Sequence, residues 1–391
     1  MMRVAIITEN FLPKLDGVTR TLARLLEHLQ ANGHQALLLG PESGMKEYAG
    51  AEVLGTAGVP LPFYPELRFN FFRPLFFRRL AEFDPDIIHL VDPVVLGATG
   101  VAAAHFLKKP LVSSYHTNLA AYCEYFGFSQ LAQPTWQYSR FLHSQCALTF
   151  CPSPSTAAIL RAQGFENLRV WPRGADTTQF QPEERSQARR AEWLSKREQP
   201  EHKVILLYVG RVSWEKNLRL LVRAYRAMDH EQCHLVIVGG GPALDEMQQE
   251  LRDIPVTFTG YLRGAELAEA YASADVFAFP SITETFGQVV LEAMASGLPV
   301  AGLLAEGVCD LVTDEKTGLL LDTRHLNEEQ QTVAYRHNLT RLVQQRQTRA
   351  RMSQAAQAEA HQRGWHEAME LLLNGYREVI GIPTMRELLV A

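Results

Sequence analysis

Residues 281–300 read Ser-Ile-Thr-Glu-Thr-Phe-Gly-Gln-Val-Val-Leu-Glu-Ala-Met-Ala-Ser-Gly-Leu-Pro-Val. Just before them, Val276–Phe279 is a short apolar run of strand composition. Pro280–Phe286 is a loop, and Gly287 precedes an apolar helical run, Gln288–Ser296. Gly297-Leu-Pro299 stops that helix, as glycine past a helix end and proline after it do, and Val300–Gly302 resumes as a strand. Strand, loop, helix and strand in this order make a parallel pair. The unit also holds two acids, Glu284 and Glu292, one on the loop and one on the helix. They stand at different heights, so they do not flank one glycosidic bond as a glycosidase requires. The amides at Phe286–Val289 lie at a helix start, where anions bind. Carboxylates accept well from paired hydroxyls. Two acids beside an anion site therefore suit a sugar nucleotide, with Glu292 on the ribose hydroxyls and Glu284 on those of an attached sugar. A surface loop and helix with exposed glutamates is the plain alternative.

The same alternation extends in both directions. Val4–Thr8, Ala36–Leu39, Ile87–Val91, Leu111–Ser113 and Leu148–Phe150 read as buried strands, then Val204–Val209, Leu235–Val238 and Val256–Phe258. Helical stretches such as Val18–Ala31, Leu218–Met228 and Ala265–Ser273 lie between them. A chain of 391 residues is too long for one typical core. The expected fold class is α/β, two facing Rossmann-like doubly wound domains. The charged, proline-bounded stretch 181–203 reads as the linker between residues 1–180 and 204–365. The helical segment Arg341–Ile380 reads as packing helices that close the fold, with 366–391 returning to the first domain. In such sheets ligands bind beyond the carboxyl ends of the strands, so the expected site is the cleft between the domains.

Composition narrows the function. Hydrophobic residues make up 47% and charged residues 21%, values of an ordinary globular protein. A net charge of −5 supplies no basic field for nucleic acid. Five cysteines show no metal-ligand spacing and fit free thiols in a reducing compartment. The first residues have no signal-peptide layout and no apolar run reaches the ~20 residues of a membrane span, so the expected location is cytoplasmic.

Other candidates sit at strand ends. The loop Glu9–Gly17 lacks G-x-G-x-x-G, and so does Gly239-Gly-Gly-Pro242, which removes the nicotinamide fingerprint from both halves. Gly17 opens the helix Val18–Ala31 and reads either as a turn glycine or as a close approach for an anion. Arg211 and Lys216, in Gly210-Arg-Val-Ser-Trp-Glu-Lys216, follow a strand end. They are either solvated charges or a phosphate-binding pair. His116 directly follows Leu111–Ser113 and reads equally as structural or catalytic.

These residues together resemble a known family. Glu284-Thr-Phe-Gly-Gln-Val-Val-Leu-Glu292 with Ala293-Met-Ala-Ser-Gly-Leu-Pro-Val300 resembles the signature of family 4 retaining glycosyltransferases, which have the two-domain glycosyltransferase-B architecture. Gly210-Arg211, Glu215-Lys-Asn217, Thr259-Gly-Tyr261 and Ala274–Ser281 are similar to further segments of that family. Phe11–Val18, Tyr64–Phe69, Ser114–Asn118 and Trp171–Asp176 resemble the group of GDP-mannose-dependent α-mannosyltransferases and sulfoquinovosyl-diacylglycerol synthases.

The resemblance implies a donor site in which the Gly17 amide contacts the diphosphate and Arg211 and Lys216 neutralise it in place of a metal. Glu292 would hold the ribose, Glu284 and the Phe286–Gly287 backbone the sugar, and His116 would meet the sugar from the acceptor side. No cofactor or metal is expected beyond the nucleotide-diphosphate sugar, with GDP-mannose ahead of UDP-sugars. Two departures stand out: Asp16 where relatives often carry Asn, and Leu304–Asp310 in place of a glycine-rich loop, where Glu306 would affect donor choice.

Residues 63–79 interleave aromatics with arginines. Tyr64, Arg68, Arg73, Arg78 and Arg79 would form an acceptor or membrane surface as part of an amphipathic helix, against the alternative of core packing with solvated arginines, and Pro65 and Pro74 break up any long helix. The expected acceptor is a hydroxyl, possible lipid linkage included, at the inner membrane face. The competing classes are a sugar-nucleotide-binding protein without turnover and an epimerase of the same architecture.

Overall fold

The computed structural model describes residues 1–13, 17–61, 64–125, 127–194 and 203–382, with only the backbone at 60, 61 and 64–69. Asp16 and the side chains of Tyr64 and Arg68 therefore lie outside the described residues. The chain divides into two compact units: residues 1–173 with 365–391, and residues 174–364.

The first unit contains β1 (Arg3–Thr8), β2 (Gln35–Pro41), β3 (Glu47–Tyr48), β4 (Ala51–Thr56), β5 (Gly58–Leu61), β6 (Tyr64–Asn70), β7 (Ile87–Val91), β8 (Leu111–Ser114), β9 (Leu148–Cys151) and β10 (Leu168–Val170). Its main sheet runs β10-β9-β8-β7-β1-β2-β4-β3. Every pair is parallel except β3 with β4. The strand β1 explains the pattern. Val4, Ala5, Ile6 and Ile7 are at most 1% exposed because helices cover both sheet faces. Each such aliphatic side chain contributes about 1.5–3 kcal/mol on burial.

The second unit holds β11 (Val204–Val209), β12 (Cys233–Val238), β13 (Val256–Gly260), β14 (Val276–Phe279), β15 (Val300–Leu303) and β16 (Gly318–Leu321). They are all parallel, in the order β13-β12-β11-β14-β15-β16. In both sheets the strand order reverses beside the first strand, between β1 and β7 and between β11 and β14. Loops leaving those strands diverge to opposite faces, which opens a crevice at the carboxyl edge.

Two sequence expectations change. The segment 181–194 is not a linker but part of the second unit, as the helix Gln187–Leu194 shows. Arg190 is 9% exposed and donates to the Ser273 and Lys203 carbonyls and to Asp275. Trp193 and Leu194 enter that unit's core. Arg185 and Arg190 place their charge on backbone carbonyls at the sheet's amino edge, while Glu183, Glu184 and Glu192 stay exposed. Residues 64–79 are not an amphipathic helix throughout: they give β6, paired antiparallel with β5, and the start of the helix Pro74–Phe83. Pro74 sits in the first turn, where its missing N–H costs nothing. Arg79 joins Glu52 and Glu82, Arg78 joins Glu82, and Arg73 donates to the Gly55 carbonyl, so this arginine set largely fixes the local fold.

The helix Trp365–Val379 packs into the first unit's core through Met369, Leu372, Leu373 and Tyr376. Gly375 sets its approach, because a Cβ there would lie 2.5 Å from Phe150 Cζ. Phe150 is wedged among His89, Trp171 and Tyr376 and has no room to withdraw. Helix propensity favours alanine over glycine by about 1 kcal/mol, while overpacking a fixed core costs about 1–3 kcal/mol. Gly375→Ala is therefore expected to destabilise, lowering the first unit's melting temperature in calorimetry. An unchanged or raised value would show that Phe150 can move.

Candidate active site

In the second unit, three strand-end loops are zipped together by glycines. Gly239 and Gly241 have φ of +130° and +157°, and Cβ atoms there would lie 2.0 Å from the Gly210 carbonyl and 2.4 Å from that of Val212. The Val212 amide donates to Gly240 O, and the Gly239 amide to Gly260 O. The triplet that failed as a dinucleotide fingerprint thus serves backbone-to-backbone packing, which fixes the start of the loop carrying Arg211 and Lys216.

Lys216 ends a single 3₁₀ turn, Trp214–Lys216, rather than opening the helix that follows, Leu218–Arg226. Its ammonium reaches across the switch point to the loop after β14. Nζ lies 2.7 Å from Glu284 Oε1 and 3.3 Å from Thr283 Oγ1, and Ser281 Oγ donates to the same Glu284 oxygen. Arg211 Nε stands 3.9 Å from Glu215 Oε1. Glu215 is buried and accepts from Ser213 Oγ, while its carbonyl takes Thr283 Oγ1. Each cation of the candidate pair thus faces a carboxylate of its own unit. Tyr208 buries its phenol beneath them and donates to the Arg211 carbonyl. Burial and the charges of Glu284 and Glu215 push its pKa far up, so it remains a donor.

Gly287 takes φ +90° and precedes the helix Gln288–Ala295. Phe286 is buried beneath the loop. Glu292 lies on the helix as expected but is only 2% exposed, and Tyr271 Oη donates to it at 3.2 Å. Behind the loop lies Gly307, φ +73°, where a Cβ would meet Phe286 N at 2.7 Å and Glu284 O at 2.8 Å. Glu306, half-buried, is its neighbour on Leu304–Asp310.

In the first unit, Gly17 starts the helix Gly17–Ala31, and the space where its side chain would stand is filled by Arg173: Nη1 is 2.4 Å from an ideal Cβ. Arg173 Nη2 lies 3.2 Å from His116 Nδ1, and His116 Nε2 lies 2.9 Å from Ser114 Oγ. His116 is 6% exposed. Burial first, then the charge of Arg173, holds its pKa well below the usual histidine value. Both ring nitrogens of His116 are thus engaged, one with Arg173 and one with Ser114. Asp92, φ +50° just past β7, accepts from the amides of His116 and Thr117 and from Thr117 Oγ1. Desolvation raises it to about 6 against those bonds and the charge of Arg173.

Sequence reading missed Arg173, Asp92, Glu215 and Tyr271 as site-shaping groups. Arg173 and Asp92 each follow a strand end, which was the available signal, but β10 is too short to stand out as a strand. Glu215 is marked only as part of the segment Glu215-Lys-Asn217, and Tyr271 carries no local signal. Among the described residues no cluster of His, Cys, Asp or Glu could hold a metal ion, and no helix is long and apolar enough to cross a membrane.

Two family profiles match the chain: "Glycosyltransferase Family 4" over residues 15–179 and "Glycosyl transferases group 1" over 189–359. A GDP-mannose-dependent alpha-mannosyltransferase of Corynebacterium glutamicum is 35% identical over 97% of this chain and 90% of its own length. The chain belongs to the family 4 glycosyltransferases. As a member it is a retaining hexosyltransferase that draws its sugar from a nucleotide-diphosphate donor. A sulfoquinovosyl transferase of Arabidopsis thaliana is 34% identical over 92% of the chain and 70% of the relative. An alpha-monoglucosyldiacylglycerol synthase of Streptococcus pneumoniae is 27% identical over 83% and 76%. Among solved structures, a sucrose-phosphate synthase from Thermosynechococcus elongatus shares the fold with a TM-score of 0.77 at 20% identity, covering 97% of this chain and all of that one.

The glycosyltransferase motif loop rests on Gly307, which suggests a direct test. Gly307→Ala must displace the Glu284–Phe286 backbone or strain its own φ, at about 1–3 kcal/mol. Sugar transfer is expected to fall at least tenfold while far-ultraviolet circular dichroism stays as in the parent. Undiminished transfer would show that the loop tolerates displacement.

Proposed function

We propose that this glycosyltransferase moves mannose from GDP-mannose to a hydroxyl of a lipid-linked acceptor, with retention at the anomeric carbon and no metal. The observation that carries the reading is the Lys216–Glu284 contact across the β11–β14 switch point, beside a helix start and a buried Glu292. It puts a cation for phosphate next to an acceptor for sugar hydroxyls.

Arg211 and Lys216 bind the diphosphate and offset the charge that develops on the leaving phosphate. Glu292 holds the ribose, and Glu284 with the Phe286–Gly287 backbone holds the hexose. His116 orients its neighbours on the acceptor side rather than moving a proton. A leaving phosphate oxygen takes the acceptor's proton, so the protein's work is positioning and charge stabilisation. GDP-mannose is favoured because near-full-length relatives at 35% and 36% identity carry that donor in their names. A lipid-linked acceptor is favoured by the diacylglycerol synthase relative. Exposed Phe71, Leu75 and Phe106, with Arg73 and Arg78, supply an apolar and basic face for a membrane surface at the cytoplasmic side.

Nucleotide release from GDP-, UDP- and ADP-linked hexoses, with and without a lipid extract, tests the donor and acceptor together. Release from GDP-mannose, faster with the extract, is expected. Release from a UDP-sugar alone would overturn the donor.

Glu284 pairs with Lys216, so a diphosphate must displace it to reach the ammonium. Glu284→Gln removes that competitor and a nearby negative charge. GDP, which carries no sugar, is expected to bind about fivefold tighter by calorimetric titration, corresponding to ~1 kcal/mol. Turnover should fall. Weaker GDP binding by the variant would contradict the exchange of partners.

A further inference from the structure

The helix Ser129–Ser144 packs on the first unit's sheet with part of its polarity reversed. Thr135, Ser139 and His143 recur every fourth residue, on one face of the helix. All three line a cavity between that helix and the loops that leave β7 and β8. Leu131, Pro134, Tyr138 and Phe141 recur at helical spacing on another face and are exposed, Phe141 by 59%. A helix that covers a sheet normally buries its apolar stripe and exposes its polar one.

The cavity measures about 30 Å³, room for about two waters or a hydroxymethyl group. Asp92 and Thr117 add to its polar wall, Leu119 and Trp136 to its apolar one, and no lysine or arginine lines it. The strand β8 sends successive serines to opposite faces. Ser114 Oγ meets His116 Nε2 and His89 Nε2, and His89 Nδ1 meets Tyr376 Oη. Ser113 Oγ lies on the other side, 2.8 Å from His143 Nδ1. His143 is only 4% exposed, and burial brings its pKa down to about 3, so the ring is neutral. Its Nε2 has no hydrogen-bond partner among the described residues, and neither has Ser139 Oγ. Polar groups held this far inside are nearly always paired, so a ligand is the missing partner. Hydroxyls fit: one donates or accepts as either tautomer of His143 requires, and another donates to the Asp92 carboxylate. A phosphate or carboxylate only accepts, and would meet the Asp92 charge with no cation in the lining.

We propose that this cavity binds one end of an uncharged, hydroxyl-bearing headgroup of the lipid acceptor through His143, Ser139 and Asp92, with the lipid chains against Leu131, Tyr138 and Phe141. The inference rests on the function proposed above and gives its acceptor a headgroup chemistry and a place. Tyr138 joins the two parts, because it lines the cavity and is also 44% exposed. The small chamber leaves a further hydroxyl of the headgroup outside to receive the sugar. Every residue of this site belongs to the first unit.

Flotation measures binding to phosphatidylcholine vesicles, plain or doped with glucosyl-dioleoylglycerol or dioleoylphosphatidic acid. The parent, Ser139→Leu, His143→Asn and Phe141→Ser are compared, with GDP titration, thermal melting and the lipid-extract concentration for half-maximal transfer recorded for each. The parent is expected to bind the glucosyl-dioleoylglycerol vesicles about tenfold tighter than the other two. Ser139→Leu fills the cavity and His143→Asn removes its ring. Both abolish that preference and raise the half-maximal extract concentration about tenfold, while the GDP Kd stays parental. Phe141→Ser weakens binding to all three vesicles alike. In nitrogen-15 spectra of the parent, the His143 Nε2 signal shifts on adding hexyl glucoside. A preference kept in both cavity variants, a preference for phosphatidic acid, or an unmoved His143 signal overturns the proposal. The spectrum needs no variant, so it decides even where a substitution unfolds the first unit. If the parent shows the preference but transfers no sugar, the functional reading fails and the cavity stands. If both cavity variants transfer sugar at the parental half-maximal concentration, the cavity fails alone.

Discussion

Parallel pairing is the constraint on which the rest of this protein depends. A strand cannot return to a parallel neighbour through a tight turn, so each connection runs through a helix on one face of the sheet. Every loop that leaves a carboxyl end therefore emerges at the same edge. Where the strand order reverses, beside β1 and beside β11, neighbouring loops part to opposite faces and leave their side chains pointing into a crevice. Gly17 and Asp92 flank that point in one unit, and the Gly210–Lys216 and 280–287 loops in the other.

The two units hold their crevices in different ways. The second uses backbone contact: Gly239, Gly241 and Gly307 stand where any side chain would strike a neighbouring main chain. Its polar groups are then left to a few exchangeable ion pairs, of which Lys216–Glu284 is the most direct. Such pairs can trade partners with a charged ligand without leaving a buried charge unsatisfied. The first unit instead fixes its polar edge through fully buried, neutral side chains, anchored by Tyr376 from a helix at the far end of the sequence. Low local dielectric strengthens such a line and makes any break in it expensive, which suits a group that must be held rather than exchanged.

Periodicity alone made much of the fold legible. The apolar runs at Val4, Ile87, Val204 and Val276 are buried on both faces, and such runs announce a parallel sheet without reference to partners. The edge elements β3, β5, β6 and β10 were not legible, because short strands in polar or proline-broken sequence carry little pattern. The stretch 181–194 misled for a related reason. Its charges look solvated in one dimension, whereas Arg185 and Arg190 fold back onto carbonyls near residue 274.

The sequence by itself determined the layered α/β class, the carboxyl-edge position of Arg211, Lys216, Glu284 and His116, and the loop-to-helix step at Gly287. These depend on neighbours within a few residues, where spacing and stop signals act. Only the tertiary structure decided what each group meets: Lys216 on Glu284, Glu292 under Tyr271, Arg173 in the space above Gly17, and His116 held between Arg173 and Ser114. Except for His116 and Ser114, those partners are separated by tens of residues or more along the chain. A hydrogen bond needs its atoms within about 3 Å, a condition that local pattern does not encode and that sheet register and helix docking impose.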